Sequence, residues 1–223
     1  MRLLLPLALA TLALGGCGDN PAETVLGVVA TTADLLTAGE TAADTATDPG
    51  PAAEGFTPEQ VAATPEAYRL FTINALGIAE LARRLTPPGR RETFVSQSGF
   101  TATYDEGILV ATRGLVGEDI MAANAPGLLD ALAAGGGTIT RTIEILDSLN
   151  QIQTASFTCM VTAKGVETIN LGVRSVDAPR LDENCRGAAL IFDNIYWLDA
   201  DGSIIASRQY VSPTVAYLRS NRL

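Results

Sequence analysis

Apolar and polar residues alternate along most of the chain after residue 67, and this period of two is typical of β-strands with one buried face. The clearest alternating runs are residues 68–73, 139–145, 154–161, 167–173, 191–198 and 203–211. Gly, Ser, Asn and Asp signals between strand-length segments predict turns at residues 98–99, 105–107, 147–150 and 199–202. Because neighbouring runs follow one another closely in sequence, we expect them to pair antiparallel.

Helical patterns are few in this part of the chain. Thr57 followed by Pro58 is typical of a helix start, and Pro65 limits the helix that follows. Residues 124–126, with the sequence Asn-Ala-Pro, predict a second helix that carries three leucines and ends at the glycines 135–137.

The segment 78–85 is ambiguous, because its apolar residues fit a helix as well as a strand, and we favour the strand. With that choice, the fold class is predicted to be α+β, mostly antiparallel β-sheet in a meander of hairpins with a few short helices. The length suits one sizeable core and does not require a second full domain.

The N-terminus has a different pattern. Arg2 precedes an apolar run, residues 3–14, that is too short to span a bilayer comfortably, and two glycines then lead to Cys17. This layout predicts a secretory signal over residues 1–16. The sequence Leu-Gly-Gly-Cys resembles the lipobox of bacterial lipoproteins, in which the cysteine sulfur receives a diacylglycerol, so Cys17 is the predicted site of lipid attachment. The alternative is an ordinary secretory signal with a cysteine nearby.

Two further segments separate this signal from the strands. Residues 17–37 comprise the lipidated N-terminus and a short amphipathic helix, predicted from apolar residues at helical spacing over 22–36. Residues 38–55 lack Val, Ile, Leu and Met, so they cannot bury enough apolar surface to fold and are predicted to be a flexible acidic linker. Residues 56–223 are the predicted β-rich domain.

Charge is concentrated in front of that domain. The chain has a formal net charge of −10, and residues 18–68 contain nine acids and no Lys or Arg. A basic stripe with interleaved aromatic residues, typical of nucleic-acid binding, is missing from the sequence. A polybasic segment for anionic lipid headgroups is missing as well. The sequence therefore argues against nucleic acid as a partner.

The cysteines indicate an oxidising compartment. With Cys17 assigned to lipid, Cys159 and Cys185 remain, and an even pair in an exported protein is most simply a disulfide. The alternating pattern agrees, because it places Cys159 on the same apolar face as Ala155 and Phe157. The alternative, two free thiols for a metal or a redox reaction, lacks CxxC-type spacing and neighbouring ligands.

No recognised catalytic motif occurs in the sequence. The chain has no histidine, which removes the Ser-His-Asp arrangement and most zinc sites, and it has no phosphate-binding loop. Residues 199–202 resemble the opening of a calcium loop but lack its later ligands, so a hairpin turn is favoured. No cofactor or metal is expected. A pair of acids for glycoside cleavage stays open as an alternative, with the candidates Asp119, Glu144, Asp147, Asp182 and Glu183.

Aromatic and arginine side chains are the remaining candidates for ligand binding. Aromatic rings suit the apolar faces of sugars, and a guanidinium group suits bidentate binding of an anionic sugar. The candidates are Trp197, Tyr196, Tyr210, Arg113 and Arg208, with Tyr217 close to them in sequence. The alternatives are that the aromatic residues belong to the core and that the arginines pair with carboxylates at the sheet edge.

Several segments between residue 56 and the C-terminus carry a family resemblance. They are 107–115 (GILVATRGL), 119–121 (DIM), 157–159 (FTC), 194–199 (NIYWLD), 207–213 (SRQYVSP), 217–218 and 222–223. Together with Cys185 and the lipobox, they resemble the YjbF/GfcB family of group 4 capsule polysaccharide lipoproteins. One departure is Val116 before Gly117, where the family tends to have Gly directly after Arg-Gly-Leu.

The resemblance implies a lipoprotein of the outer membrane that faces the periplasm and serves in secretion or assembly of an exopolysaccharide or capsule. We therefore expect a non-enzymatic accessory factor. Its expected partners are the membrane, through the lipid anchor, and the polysaccharide or its export proteins. The alternatives are a periplasmic polysaccharide-modifying enzyme that uses acidic residues and a purely structural envelope protein.

Overall fold

The structure of the protein is a computed structural model that describes residues 55–115, 119–146 and 151–223. These residues belong to one unit, Pro49–Leu223. The predicted signal, the lipid site Cys17, the helix over 22–36, almost all of the linker and the turn at 147–150 lie outside the described residues.

In the described part of the chain, twelve β-strands form one antiparallel sheet. In chain order they are β1 Tyr68–Ile73, β2 Ile78–Arg84, β3 Arg91–Ser96, β4 Thr101–Asp105, β5 Ile108–Arg113, β6 Ile120–Asn124, β7 Gly136–Leu146, β8 Ile152–Asn170, β9 Ser175–Arg186, β10 Ile191–Leu198, β11 Ile204–Tyr210 and β12 Tyr217–Arg222. The described α-helices are α1, Pro58–Ala63, and α2, Leu128–Ala133. The predicted mostly antiparallel sheet with a few short helices is confirmed. Neither described α-helix is long and apolar enough to cross a membrane.

The strand order is β5-β4-β3-β2-β1-β12-β11-β10-β9-β8-β7-β6. Every neighbouring pair except β1 and β12 is consecutive in the chain, as the predicted hairpins require. The sheet is more than a simple meander, because β1 pairs with β12 and thereby joins two meanders. The edge strands β5 and β6 also approach each other. The sheet therefore curls until it is nearly closed.

The curled sheet has an inner face that holds the main core. Since side chains alternate across a strand, alternate residues of the strands that surround this face point inwards. One apolar cluster contains side chains from all twelve strands and from α2. One group of aromatic rings in it consists of Phe71, Phe94, Phe100 and Tyr104, in which the contacting ring centroids are 5.7 to 6.4 Å apart.

The first helix begins as the sequence predicts. The Thr57 hydroxyl accepts a hydrogen bond from the Gln60 N–H at 3.3 Å, and the Gln60 side-chain oxygen accepts one from the Thr57 N–H at 3.1 Å. This reciprocal pair is a capping box. The helix ends at Ala63, before Pro65.

The predicted start of the second helix at residues 124–126 is wrong. Asn124 is the last residue of β6, and Gly127 precedes α2 in a left-handed conformation with φ of 78° and no side-chain cap. The sequence of β6, Ile-Met-Ala-Ala-Asn, alternates too weakly to predict a strand. The glycines at 136 and 137, expected to follow the helix, already belong to β7.

β8 and β9 form a long hairpin whose distal half packs on the outer face of the sheet. The register between the two strands shifts between Ala163 and Gly165. Beyond this shift, their side chains join a second apolar cluster with β10 and β11, formed by Ile169, Leu171, Ala178, Ile195, Trp197, Ile205 and Ala206. Ala155, which has the same position in the alternation as Phe157 and Cys159, is exposed. β9 ends opposite Thr158, so no strand covers Ala155 on that side.

Candidate functional site

The predicted ligand residues do not share one surface. Tyr196 and Trp197 are consecutive on β10 and therefore point to opposite faces of the sheet. Tyr196 is fully buried in the inner cluster, whereas Trp197 is buried in the outer cluster. The indole N–H of Trp197 donates to Glu167 at 3.1 Å, and Arg219 lies over the indole, 4.9 Å from the ring centroid. Both rings occupy core positions, as the alternative interpretation expects.

Tyr196 belongs to a buried polar network centred on Glu183. Arg141 on β7 donates two hydrogen bonds to the Glu183 carboxylate, both 2.9 Å long. The Asn194 side-chain amide and the Tyr196 hydroxyl donate to the same carboxylate at 2.8 and 2.9 Å. Glu183 is therefore a buried counter-ion with hydrogen bonds to both of its oxygens, which is the form in which a buried ion pair is tolerated.

Burial controls the protonation of this network. It raises the pKa of Tyr196 well above the ordinary value, and the neighbouring Glu183 raises that pKa further. Tyr196 is therefore a neutral hydrogen-bond donor. Burial alone would lower the pKa of Arg141, but Tyr196 and Glu183 outweigh burial and raise it. Arg141 consequently stays charged at neutral pH.

The predicted disulfide between Cys159 and Cys185 is confirmed. The two residues lie directly opposite each other on β8 and β9, with Cα atoms 4.0 Å apart, and both are fully buried. Their sulfur atoms and the Glu183 carboxylate lie within 4.8 Å of one another. A metal ion would need free thiolates here. Because the sulfurs are bonded to each other and Glu183 is paired with Arg141, this cluster does not form a metal site.

Arg113 lies where the two edge strands of the sheet meet. Its guanidinium donates to the main-chain oxygens of Ile120 at 2.8 Å and Met121 at 3.2 Å, both on β6. Asp119 reinforces this seam, because its carboxylate accepts hydrogen bonds from the Thr112 hydroxyl at 2.8 Å and from the main chain of the residues that follow β5. The structure thus places Arg113 in a position that holds β5 and β6 together.

Arg208 and Tyr210 meet around Tyr217. The Arg208 guanidinium lies 4.3 Å from the centroid of the Tyr217 ring and forms an ion pair with Asp193. Tyr210 stacks on Phe192, with ring centroids 4.6 Å apart, and contacts the edge of Tyr217. Arg208 and Tyr217 also line an outer pocket of about 270 Å³. Asp193 balances the charge of Arg208, so Arg208 contributes no unpaired positive charge to this pocket.

Three further arginines, which were not predicted as site residues, lie together at one end of the curl. Arg222, Arg69 and Arg84 come from the adjacent strands β12, β1 and β2, and Arg69 is opposite Arg222 in the strand register. Glu92 on β3 pairs with Arg84 at 3.0 Å. We call this end, defined by the three arginines and Glu92, the arginine mouth.

The sequence contains one signal for the arginine mouth. Arg69 has the same parity as Phe71 and Ile73, which both point into the core. A charged residue at a core position of an alternating strand is uncommon, because burying a charge is costly unless it is paired. That signal gives no information about which partners surround the charge.

Two pockets open at the arginine mouth. The larger, of about 590 Å³, is lined by Arg69, Arg222, Tyr104, α2 and the turn between β10 and β11. The smaller, of about 310 Å³, shares Arg69, Glu92 and Arg222 with it. Volumes in this range are typical of small-molecule sites.

The sequence profile of the family described as group 4 capsule polysaccharide lipoprotein gfcB, YjbF, matches residues 32–223. The chain belongs to this family. The resemblance seen in the sequence motifs is thereby confirmed, and the protein is a lipoprotein of the cell envelope linked to capsule polysaccharide. Among curated proteins, no sequence matches the chain.

The fold is similar to that of a solved structure. It is the crystal structure of the hypothetical lipoprotein YmcC from Escherichia coli K12, which is 21% identical in sequence and has a TM-score of 0.63. The similarity covers 75% of this chain and 88% of that chain. At this level of identity, the comparison shows that the fold is shared.

The motif segments of this capsule lipoprotein lie on β5, the start of β6, β8, β10, β11 and β12. Gln209 on β11 is an example of a motif residue with a structural role, because its side chain crosses the interior to the start of β5. There it accepts a hydrogen bond from the Leu109 N–H at 2.8 Å and donates one to the Gly107 carbonyl at 2.9 Å. With the Arg113 seam, these contacts give the motif residues a structural role in holding the sheet closed.

Proposed function

We propose that this protein is a non-enzymatic accessory factor in the secretion or assembly of capsule or exopolysaccharide. The observation that carries the proposal is the family match over residues 32–223, because the family is one of capsule polysaccharide lipoproteins. In this proposal, residues 1–16 are removed as a signal peptide and Cys17 carries the acyl chains, palmitate among them. Residues 17–37 and the linker 38–55 then tether the domain 56–223 to the outer membrane, where it faces the periplasm. Its partners are the polysaccharide or the export proteins.

The positions of the acidic residues support the non-enzymatic side of the proposal. Glu183 is the buried counter-ion of Arg141, Asp119 accepts hydrogen bonds at the seam, and Asp182 pairs with Arg180 at 2.8 Å. Asp147 lies outside the described residues. Glycoside cleavage needs two carboxyl groups that face each other across one cleft. Neighbouring Asp182 and Glu183 point to opposite faces of the sheet instead.

The alternative enzymatic function predicts a change in the polymer, so polymer length tests the proposal. The lipidated protein, purified in detergent, is incubated with the polysaccharide made by the same cell, and polymer length is followed by size-exclusion chromatography. We expect the length to remain unchanged. Shortening that disappears in Asp182→Asn or Glu144→Gln would establish the enzyme instead.

A further inference from the structure

Arg69 is a buried cation without an ion-pair partner among the described residues. The residue is 3% exposed, and Nη1 donates to the Ser220 hydroxyl at 3.1 Å. Nε is buried and has no hydrogen-bond partner. The guanidinium lies 4.7 Å from the centroid of the Phe94 ring and 5.0 Å from that of Tyr104. Two rings stabilise a cation to a limited extent and do not replace a counter-ion.

Both Arg69 and Tyr104 keep their protons at neutral pH. Burial lowers the pKa of Arg69 to about 10, and the nearby charge of Arg222 also lowers it. Burial raises the pKa of Tyr104 to about 12. The Tyr104 hydroxyl is buried and interacts with the side chain of Ser220. The larger pocket at the arginine mouth is therefore lined by a cation that forms no ion pair with any described carboxylate.

The neighbouring charges do not balance Arg69. Glu92 pairs with Arg84 at 3.0 Å. Arg222 donates to the Ser203 hydroxyl at 3.1 Å and pairs with no described carboxylate. The other acids that line the larger pocket are on its exposed rim and are Glu106, Asp130 and Asp201. The deep part of this pocket is therefore positive, whereas its rim is negative.

We propose that Arg69 and Arg222 bind the carboxylate of an acidic sugar in the larger pocket of the arginine mouth. A guanidinium fork matches the planar geometry of a carboxylate. The inference rests on the proposed function, which supplies a polysaccharide as the source of the sugar.

The rim and the volume define the kind of sugar. Carboxylates at the rim accept hydrogen bonds from sugar hydroxyls but repel a chain with a charge on every unit. A pocket of about 590 Å³ is much larger than a single inorganic anion requires. The ligand is therefore an isolated uronate-type unit on an otherwise neutral stretch of polymer.

Thermal unfolding of the full chain tests the proposal, with sodium glucuronate, methyl glucoside and inorganic phosphate as probes at matched ionic strength. We expect glucuronate alone to raise the melting temperature. Arg69→Met should weaken glucuronate binding at least tenfold, and Arg222→Gln about tenfold. Arg90→Gln is the matched control, because Arg90 lines the same pocket at its exposed rim, and it should change binding by less than about twofold.

The melting temperature without ligand separates binding from a structural role. We expect Arg69→Met to melt at the same or a higher temperature than the wild type, because the substitution removes an unbalanced buried charge. A lower melting temperature with unchanged glucuronate binding would overturn the proposal. An equal response to methyl glucoside or phosphate would also overturn it, as would no response of the wild type to glucuronate. Full glucuronate binding by Arg222→Gln would overturn it too, so the proposal can be tested even if Arg69→Met does not fold.

Failure of this inference is distinct from failure of the proposed function. If the protein does not bind glucuronate but its deletion still reduces surface polysaccharide, only the acidic-sugar site is overturned. If the protein binds glucuronate but its deletion leaves surface polysaccharide unchanged, the site is supported and the accessory role is contradicted.

Discussion

Arg141→Met should lower the free energy of unfolding by about 3 to 5 kcal/mol, the usual effect of removing one partner from a buried ion pair. The reason is that the Glu183 carboxylate, which is fully buried, loses the two hydrogen bonds and the positive charge of Arg141. This loss is a large part of the roughly 5 to 15 kcal/mol that stabilises a typical domain. Chemical denaturation followed by Trp197 fluorescence measures it.

Two comparisons identify the cause of this loss. Replacing both partners, as Arg141→Met with Glu183→Leu, should be less destabilising than the sum of the two single substitutions, because no unbalanced charge remains. Arg180→Met is the control at a more exposed ion pair, with Asp182, and should cost less than about 1 kcal/mol. Equal effects of Arg141→Met and Arg180→Met would contradict the structural role of the network.

Loss of the disulfide should have a similarly large effect. Replacing Cys159 and Cys185 together by alanine should lower the free energy of unfolding by roughly 3 to 4 kcal/mol, because the bond closes a loop over a sequence separation of 26 residues in the unfolded chain. The denaturation midpoint of the double variant measures the change. Mass spectrometry after alkylation, with and without reductant, verifies that the wild-type bond is present.

A wild-type protein that alkylates at both cysteines without reductant would contradict the disulfide directly. A double variant with an unchanged midpoint would contradict its stabilising role. Because both sulfurs are fully buried, mild reductant should act slowly on the folded protein and faster in denaturant.

The parts of the fold set by local pattern were predictable from the sequence. The predicted strand over residues 68–73 has the same bounds as β1, and the turn over 199–202 separates β10 from β11. Such elements depend on alternation and turn residues within a short window. The disulfide followed from the cysteine count and the face on which Cys159 lies.

β9 and β12 were not predicted, and their residues show why. β9 contains Pro179 and charged residues on both faces, so its alternation is weak. The partners of these charges come from strands far away in sequence, as Arg141 does for Glu183. The pairing of β1 with β12 joins residues about 150 positions apart, and local patterns carry no information about such contacts.

The same limitation explains why the charge pairing at the candidate site could not be predicted from the sequence. Glu183 was considered as a catalytic acid because sequence alone does not reveal its counter-ion. Arg69 was not considered, although the sequence shows that it lies on the core face of β1. Its lack of an ion-pair partner among the described residues depends on β2, β3 and β12 together, because Glu92 on β3 pairs with Arg84 on β2 instead. Charge balance inside a curled sheet is a property of the assembled strands.

The most direct test of the envelope role is the amount of polysaccharide on the surface of cells that lack this protein. The account predicts that surface polymer falls and retained polymer rises in the deletion strain. It also predicts that the wild-type gene restores export, whereas Cys17→Ser does not. An unchanged amount of surface polymer in the deletion strain would contradict the account.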